Sequence, residues 1–430
     1  MKLTKQLLTT TLALLLIVSV ATAKDTTLKL KVKAGDYARM NVPVCVLIDA
    51  GTAKTATVNI GGSSKAERAQ LAEPGLLAQC GCKKLDGKKE LHFVLPLLAK
   101  GKDVDVTVNL SDAPLKGRSF CFNDDPGVSR EMACAKCHIK NQSMFKYMYK
   151  PLDKENREET YKVFHHLYKP GTTEIITKGP GGKFTHHRGI FYGFSKTSYT
   201  DKEGKKVSCD TWHSRGARQE HDKFIAEDTG KVLGRHTVGI NWISEKGDDY
   251  TFAKEKRQVG AWNLKAPNGA PAMLVEFASE LTPIGDTPVN VNGDPQHAGF
   301  QFRASNEVAS NSAKETYYIR AKDGVGKPGE TRNWPGDKEQ KDLPYNAMSF
   351  VVGGKRYTAV YIDKPSNPKP AMYSERDYGR FGSYFVAEAT KEKPLVVNYR
   401  IWLQEGEMTP EEVKALADNF VNPVEVEVVK

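Results

Sequence analysis

The chain of 430 residues carries 63 lysines and arginines against 52 aspartates and glutamates, which gives a formal net charge of +11 at pH 7. The basic residues are spread along the sequence without a lysine- or arginine-rich block, so the composition argues against a nucleic-acid partner and leaves an acidic polysaccharide open. This length is sufficient for two domains with hydrophobic cores of their own.

Residues 1–23 have the pattern of a secretory signal peptide. Lys2 and Lys5 precede an apolar stretch from Leu12 to Val20, and Ala21-Thr22-Ala23 has the small-x-small pattern of a signal-peptidase site. The apolar stretch is short for a membrane span, and no later segment is apolar enough to cross a bilayer. We therefore expect an exported protein, periplasmic or extracellular, with no transmembrane anchor. The sequence does not indicate its oligomeric state.

Residues 24–115 alternate between apolar and polar side chains as β-strands do. We expect a small β-sandwich here, with at most one short helix around Ala66 to Leu71 and a structural or docking role. The predicted strands are Leu28 to Val32, Val42 to Ile48, Ala56 to Ile60, Leu91 to Leu97 and Val104 to Val108.

The remainder of the chain divides at about residue 160. Residues 116–160 are charged and contain several cysteines, so we interpret them as a linker or insertion. Residues 161–430 show short strands every 8 to 15 residues, separated by Gly-, Asn- and Pro-containing turns, which favours one large antiparallel sandwich. One helix is clear: it begins at Thr409-Pro410-Glu411-Glu412, with an N-cap threonine and proline at N1, and ends before Asn422-Pro423. The predicted fold class is all-β.

The histidines are concentrated in the predicted large domain, where their settings suggest a site. At the ends of strands and on one inward face, such side chains converge on a concave surface. Imidazoles there transfer protons near neutral pH, arginine binds a carboxylate, and tryptophan stacks on a sugar. Three convergent imidazoles would equally bind a divalent metal. The candidate catalytic residues are His186, His187, Arg188, His213, His236 and Arg303, and the candidate substrate-binding residues include Trp212 and His297.

The segment Thr185 to Phe194 contains the central motif His186-His187-Arg188-Gly189, followed by an apolar aromatic run. On a strand, adjacent side chains point to opposite faces. The expectation is therefore one histidine that acts as base or ligand, one structural neighbour, and Arg188 at the rim of the cleft.

A second motif, Cys134-Ala135-Lys136-Cys137-His138, has the spacing that attaches c-type haem. In it Cys134 and Cys137 would bind the porphyrin and His138 the iron. The alternative is a disulfide loop, in which Cys134 or Cys137 pairs with an earlier cysteine. The chain has seven cysteines, an odd number that leaves at least one thiol unpaired or chemically used.

Several separated segments together resemble an exported bacterial family, frequent in planctomycetes, that carries the name methane oxygenase PmoA. The matching segments are Val163 to Gly171, His186 to Phe191, Trp212-His213, Gly293 to Ala304, Asp363 to Pro368, Arg376 to Gly379 and Leu395 to Arg400. The chain lacks the membrane helices of a true particulate methane oxygenase, so that activity is rejected.

What this resemblance implies is a β-supersandwich similar to galactose mutarotases. Asn367 and Arg376 belong to the family motifs and join the candidate substrate-binding residues. The sequence departs from the family at His166, where the family has proline. The expected function is an exported carbohydrate-active enzyme (a hydrolase, lyase or epimerase) or a carbohydrate-binding protein. The alternative is a periplasmic redox or metal protein with a histidine-bound metal, a c-type haem, or both.

Overall fold

The computed structural model describes residues 26–81, 85–115, 117, 119–134, 142–266, 268–294 and 296–429. The proposed signal peptide and four of the five residues of the haem motif, Ala135 to His138, lie outside this part of the chain. The described helices are short: α1 (Leu76–Gly81), α2 (Arg157–Thr160), α3 (Pro410–Val421), a π-turn at Val308–Ser312 and a 3-10 turn at Ala313–Glu315. None of them is long and apolar enough to cross a membrane.

Six strands precede residue 115. They are β1 (Thr26–Lys33), β2 (Arg39–Asp49), β3 (Thr55–Ile60), β4 (Glu67–Ala72), β5 (Lys88–Leu98) and β6 (Asp103–Ser111).

The remaining strands continue to the end of the described chain. They are β7 (Phe120–Asp125), β8 (Ser129–Cys134), β9 (Ser143–Met148), β10 (Phe164–Leu167), β11 (Ile190–Phe194), β12 (Lys196–Thr200), β13 (Lys206–Cys209), β14 (Ala217–Thr229), β15 (Leu233–Ser244), β16 (Tyr250–Lys265), β17 (Pro271–Pro283), β18 (Val289–Asn292), β19 (Ala298–Arg303), β20 (Tyr317–Arg320), β21 (Gly324–Val325), β22 (Tyr345–Val352), β23 (Lys355–Asp363), β24 (Met372–Arg376), β25 (Arg380–Tyr384), β26 (Ala387–Ala389), β27 (Leu395–Glu405) and β28 (Glu425–Val429).

The N-terminal strands form a seven-stranded antiparallel sheet in the order β2-β5-β4-β3-β6-β1-β28. Side chains along its strands point alternately to the two faces of the sheet. Residues such as Leu30, Val58 and Phe93 share the buried face and form a single hydrophobic cluster. On the opposite face, Cys45 of β2 and Glu90 and His92 of β5 line a pocket together with Trp262 and Arg400 of the large domain.

The large domain is a sandwich of two sheets. An eight-stranded sheet, in the order β24-β25-β19-β11-β10-β9-β8-β7, packs on a nine-stranded sheet, in the order β14-β15-β16-β17-β27-β23-β22-β20-β21. Aromatic rings fill the space between them: the rings of Phe277 and Phe300 lie 4.3 Å apart, and those of Phe300 and Tyr399 lie 4.8 Å apart. A smaller sheet, in the order β13-β12-β18-β26, lies beside the sandwich. The all-β prediction with one C-terminal helix is confirmed.

The outer face of the nine-stranded sheet is covered by helix α3. Val413, Ala417 and Phe420 of the helix join the cluster that contains Trp262 and Trp402 of the sheet. The sequence prediction for this helix was accurate, and the predicted capping box is present. The Thr409 side chain accepts a hydrogen bond from the backbone N–H of Glu412, and the Glu412 side chain accepts one from the backbone N–H of Thr409.

Three sequence expectations differ from the structure. Residues around Ala66 to Leu71 form strand β4 rather than a helix, because pairing with both β3 and β5 outweighs local propensity. Residues 116–160 contain β7, β8 and β9, which belong to the eight-stranded sheet and are not a linker or insertion. The final strand, β28, leaves the large domain and pairs with β1 of the N-terminal sheet.

Candidate histidine site

Two Asp-x-x-His turns meet at one edge of the four-stranded sheet. Strand β12 runs antiparallel to both β13 and β18, so β13 and β18 are parallel and end at the same edge. Strand β13 leads directly into Asp210 to His213, and β18 leads into Asp294 to His297 after one glycine. The sheet therefore brings two copies of one local motif together, and the rings of His213 and His297 lie 5.0 Å apart.

The first turn is held by the Asp210 carboxylate. Its Oδ1 accepts the backbone N–H groups of Trp212 (3.0 Å) and His213 (2.8 Å), and its Oδ2 lies 2.7 Å from Nδ1 of the His213 ring. A carboxylate that accepts from Nδ1–H fixes the tautomer, so Nε2 keeps its lone pair and remains free to act as a base or ligand.

The second turn repeats this arrangement. Oδ1 of Asp294 accepts the backbone N–H of Gln296 (2.9 Å), and its two carboxylate oxygens lie 2.9 and 3.0 Å from Nδ1 of His297. His297 is the more exposed of the two rings, with 37% side-chain exposure against 16% for His213. Nε2 is again the nitrogen left for chemistry.

His186 and His187 both join this cluster. The His186 ring lies 4.5 Å from the His213 ring and 4.3 Å from the His187 ring. The two residues occupy a turn that precedes strand β11, so the strand rule that predicted opposite faces does not apply to them. His186 is partly exposed, whereas His187 is buried against Phe191, Trp212 and Tyr378.

Glycines allow the site loops to approach the sheet. A Cβ at Gly193 would lie 2.6 Å from the carbonyl oxygen of Thr211, and one at Gly189 would lie 2.0 Å from that of His165. Thr211 is tied to β11 because its Oγ1 accepts the N–H of Phe194 and its own N–H donates to the Phe194 carbonyl. The position of the first Asp-x-x-His turn thus depends on a glycine in β11.

The electrostatic potential at His186 and His187 is positive because cationic side chains surround them. Burial, together with the nearby Lys162, His213 and His297, lowers the pKa of His186 to about 2. Burial also holds the pKa of His187 well below its usual value, with further lowering from Arg380 and Arg303. Both imidazoles are therefore neutral near pH 7, and their surroundings favour a negatively charged ligand.

Two buried lysines hold the turn that carries these histidines. Nζ of Lys178 donates to the carbonyl oxygens of Phe184 and His187, both at 3.2 Å, and burial lowers its pKa to about 7. Nζ of Lys162 donates to the carbonyl of Trp212 and lies 3.4 Å from that of His186. The lysines thus connect the His186 turn to the loop that carries His213.

An arginine pair lies on the same outer face of the eight-stranded sheet. Arg303 on β19 is directly opposite Arg380 on β25, and both are buried. Their hydrogen bonds go to neutral oxygens, including Oε1 of Gln301 and the carbonyl of Ala304. Within the described residues, Nε of each and Nη2 of Arg303 have no partner. Like charges that face each other across a ladder are destabilising, so this pair is suited to an anion.

The arginine pair and the Asp-x-x-His turns lie at opposite ends of strand β19. His297 precedes the strand and Arg303 ends it six residues later, which is at most about 20 Å at strand rise because Gly299 between them has φ of +84°. His186 and His187 lie between the two ends. This spacing suits an extended ligand of several units better than a single small molecule.

An exposed aromatic ring flanks the histidines. Phe184 is 43% exposed, and its ring contacts those of His187 and Tyr378 at 5.4 and 5.1 Å. Phe184 and Ser214, one in each site loop, both have φ of +59°. Such conformations are uncommon for these residue types and concentrate at functional sites.

Arg188 is not at the rim of the cleft. Its guanidinium is buried, lies over the Tyr161 ring at 4.1 Å and donates to the carbonyls of Thr185, Glu158 and Glu159. Glu158 and Glu159 belong to the short helix α2, so Arg188 satisfies free helix carbonyls. We therefore assign Arg188 a structural role, contrary to the expectation.

His236 is also separate from the cluster. It lies on β15, inside the sandwich, with Nε2 at 3.0 Å from Nε2 of His165 and rings of Phe122 and Phe145 around it. Residues 233–244 are almost entirely buried. Because side chains alternate along a strand, His236 shares a face with Val238, Ile240 and Trp242, which point into the core. It is a core histidine.

Three of the expected substrate-binding residues have other positions. Trp212 is fully buried against Phe164 and Phe191, so it supports the site and is not an exposed sugar platform. Asn367 is buried in a turn, where its amide bonds Asp363 and the backbone of Asn398. Arg376 is partly buried and donates to Asn333, near the arginine pair. Of the expected binding residues, His297 is in the cluster.

Sequence reasoning missed Asp210 as the partner of His213, and it missed Phe184, Tyr378 and Arg380. The repeated Asp-x-x-His spacing was a usable signal for the first of these. Among the described residues, one group of three possible metal ligands has its atoms within 4.8 Å of one another, and it is not this cluster. Cys137 and His138 of the haem motif lie outside the described residues.

These features define an all-β sandwich protein with a histidine-rich candidate site beside a buried arginine pair. The sequence matches the family described as "Family of unknown function (DUF6807)" over residues 134–418, about two thirds of the chain. The chain belongs to this family. The match spans nearly the whole large sandwich, including both Asp-x-x-His turns and the arginine pair.

No curated protein matches the chain. Among solved structures, the chain is similar to a protein in the glycosyl hydrolase family 38 from Enterococcus faecalis, at 11% identity and a TM-score of 0.44. The similarity covers 94% of this chain and 47% of that chain, so the chain spans about half the length of that protein.

Proposed function

We propose that this protein binds and acts on an acidic oligosaccharide outside the cytoplasm. The observation that carries the proposal is the pairing of two Asp-held histidines with a buried, uncompensated arginine pair on one face of the sandwich. The arginines would bind a carboxylate or sulfate of the sugar chain. The exposed Phe184 ring would stack on a sugar face.

The chemistry assigned to the histidines is general acid–base catalysis. With Nδ1 held by a carboxylate, Nε2 of His213 or His297 accepts a proton from the sugar. In a lyase- or epimerase-type reaction on a uronate, that proton comes from the carbon next to the carboxylate, and the electron pair moves into an enolate. The proton then returns to carbon, or the enolate electron pair forms a C=C bond as the bond from the ring carbon to the neighbouring glycosidic oxygen breaks, and that oxygen takes a proton from the second imidazole, which must carry a proton on Nε2 for this step.

Binding and chemistry are tested separately because the arginine pair and the Asp-held histidines lie at opposite ends of strand β19. Calorimetry with a trimer of galacturonate, its carboxyl-reduced counterpart and a sulfated oligosaccharide measures the preference for charge. We expect the charged trimers to bind and the neutral one to bind at least tenfold more weakly. Arg380→Met weakens binding by a similar factor, whereas Lys355→Met, an exposed charge paired with Glu405, does not. Equal affinity for neutral and charged trimers contradicts the proposal.

Proton transfer is measured as exchange of sugar carbon-bound hydrogen in deuterium oxide by NMR. His213→Gln and His297→Gln should retain trimer affinity and reduce exchange or product formation by about a hundredfold or more, the scale of general-base catalysis. His236→Gln serves as the matched histidine control, since that ring is in the core. Unchanged rates in both His213→Gln and His297→Gln remove the catalytic assignment.

A further inference from the structure

A second cluster of ligand-type side chains lies between the two domains. On the outer face of the N-terminal sheet, Cys45 of β2 is directly opposite His92 of β5, and Glu90 precedes His92 by two residues on the same face. One ligand atom from each of these three side chains lies within 4.8 Å of the other two. The cluster is remote from the histidine site, on the opposite side of the nine-stranded sheet.

The cluster lines a pocket of about 230 Å³. The pocket is enclosed by the N-terminal sheet, the outer face of the nine-stranded sheet and the end of helix α3, with Trp262, Glu276 and Arg400 among its lining residues. Cys45 is an exposed, free cysteine in this pocket, whereas Glu90 and His92 are buried. The thiol is therefore accessible from the pocket and the other two groups are fixed around it.

We propose that Cys45, Glu90 and His92 bind a divalent cation of the zinc class. A thiolate, an imidazole and a carboxylate are all zinc ligands, and the sulfur and nitrogen donors disfavour calcium and magnesium. Three protein ligands leave the fourth tetrahedral position to water or a ligand in the pocket. Tetrahedral zinc ligands are about 3.3 to 3.8 Å apart, so the present separations require a shift of about 1 Å.

The surroundings are those of a supported metal ligand. Oε1 of Glu90 accepts a hydrogen bond from the backbone N–H of Gly75. Its Oε2 accepts a hydrogen bond from Nη1 of Arg235 at 2.7 Å and lies 3.1 Å from Nε2 of His92. Hydrogen bonds of this kind orient a carboxylate ligand. Arg235 keeps Asp228 as a partner if Glu90 turns toward a cation. The other ring nitrogen of His92 is buried with no partner among the described residues.

The test is cobalt binding to the full chain, stripped with chelator and kept reduced. A Cys45 thiolate on Co²⁺ gives a near-ultraviolet charge-transfer band, and Zn²⁺ displaces it. We expect Cys45→Ala to bind one equivalent less Co²⁺ than the wild type and to lose the corresponding band. Cys209→Ala, which removes a buried thiol elsewhere, is the matched control and keeps both. The difference in bound Co²⁺ between wild type and Cys45→Ala measures this site alone, whatever Co²⁺ the other cysteines of the chain bind.

Cys45→Ala removes an exposed side chain, so it should fold, and circular dichroism checks this. His92→Gln provides a second variant with the same expected loss of one equivalent. Identical stoichiometry and spectra for wild type and Cys45→Ala overturn the proposal, as does a wild type that binds no Co²⁺ or Zn²⁺ at micromolar concentration. Oligosaccharide binding is measured on the same variants and should not change, so this proposal and the proposed function fail independently.

Discussion

Nδ1 of His213 lies 2.7 Å from Oδ2 of Asp210, while Oδ1 of the same carboxylate accepts two backbone N–H groups of the turn. One side chain thus shapes the loop and selects the tautomer of the histidine. Asp294 holds His297 in the same way. Because both turns follow parallel strands of one sheet, the sheet brings the two turns together, and the two carboxylates hold the imidazoles that the turns carry.

Asp210→Asn should change the tautomer of His213 and preserve the fold. The asparagine oxygen still accepts from the backbone of Trp212 and His213, so its amide NH₂ group faces Nδ1 and forces the proton to Nε2. Ring nitrogen NMR of the wild type should show Nδ1–H at His213, and of the variant Nε2–H. Asp294→Asn is the matched control, since it should alter His297 alone. An unchanged His213 tautomer in Asp210→Asn contradicts the arrangement.

Gly193→Ala should displace the first Asp-x-x-His turn. The added Cβ would lie 2.6 Å from the carbonyl oxygen of Thr211, so the loop must move away from β11. Overpacking of this kind costs about 1 to 3 kcal/mol in the free energy of unfolding, measured by urea titration. Gly285→Ala is the control because its Cβ would meet nothing closer than 3.9 Å. Equal stability of the two variants would show that the loop is not packed against Gly193.

Much of the fold was predictable because its signals are local. Period-two alternation identified the strands, the capping box located the start of helix α3, and Asn422-Pro423 located its end. Membership of the site was predictable for His186, His187, His213 and His297, since each lies in a turn beside a strand. These inferences need no knowledge of which strands pair.

What was missed depends on long-range pairing. Both faces of β15 are buried, and the contact between His236 and His165 joins two different sheets, so no local pattern reveals it. Arg188 meets the carbonyls of Glu158 and Glu159 only because a helix some 30 residues earlier returns to it. Arg303 and Arg380 face each other through a β19–β25 register that no local pattern reveals.

The N-cap of helix α3 gives a prediction about stability. Thr409→Ala removes the acceptor for the backbone N–H of Glu412. We expect a loss of about 1 kcal/mol in the free energy of unfolding by urea titration. Thr52→Ala, in an exposed turn, should change it by less than about 0.5 kcal/mol. A Thr409→Ala variant as stable as Thr52→Ala would mean that the capping box contributes nothing measurable.

The buried histidines predict that acid destabilises the protein. Burial lowers the pKa of His166 to about 4 and that of His236 to about 3, whereas both are near 6.5 in the unfolded chain. Between these values the unfolded state binds more protons, so the free energy of unfolding falls as the pH decreases below about 6.5. Each histidine contributes a loss of roughly 2 kcal/mol between pH 7 and pH 5.

Urea unfolding at pH 7, 6 and 5 measures this dependence, and His166→Gln tests its origin. Nδ1 of His166 lies 3.1 Å from Oγ1 of Thr177, a contact that the glutamine amide is able to replace. The variant loses one titrating group, so its stability should fall by roughly 2 kcal/mol less than that of the wild type over the same pH range. His297→Gln, which changes a partly exposed ring, serves as the comparison. Parallel pH profiles for wild type and His166→Gln would show that the acid sensitivity arises from other groups.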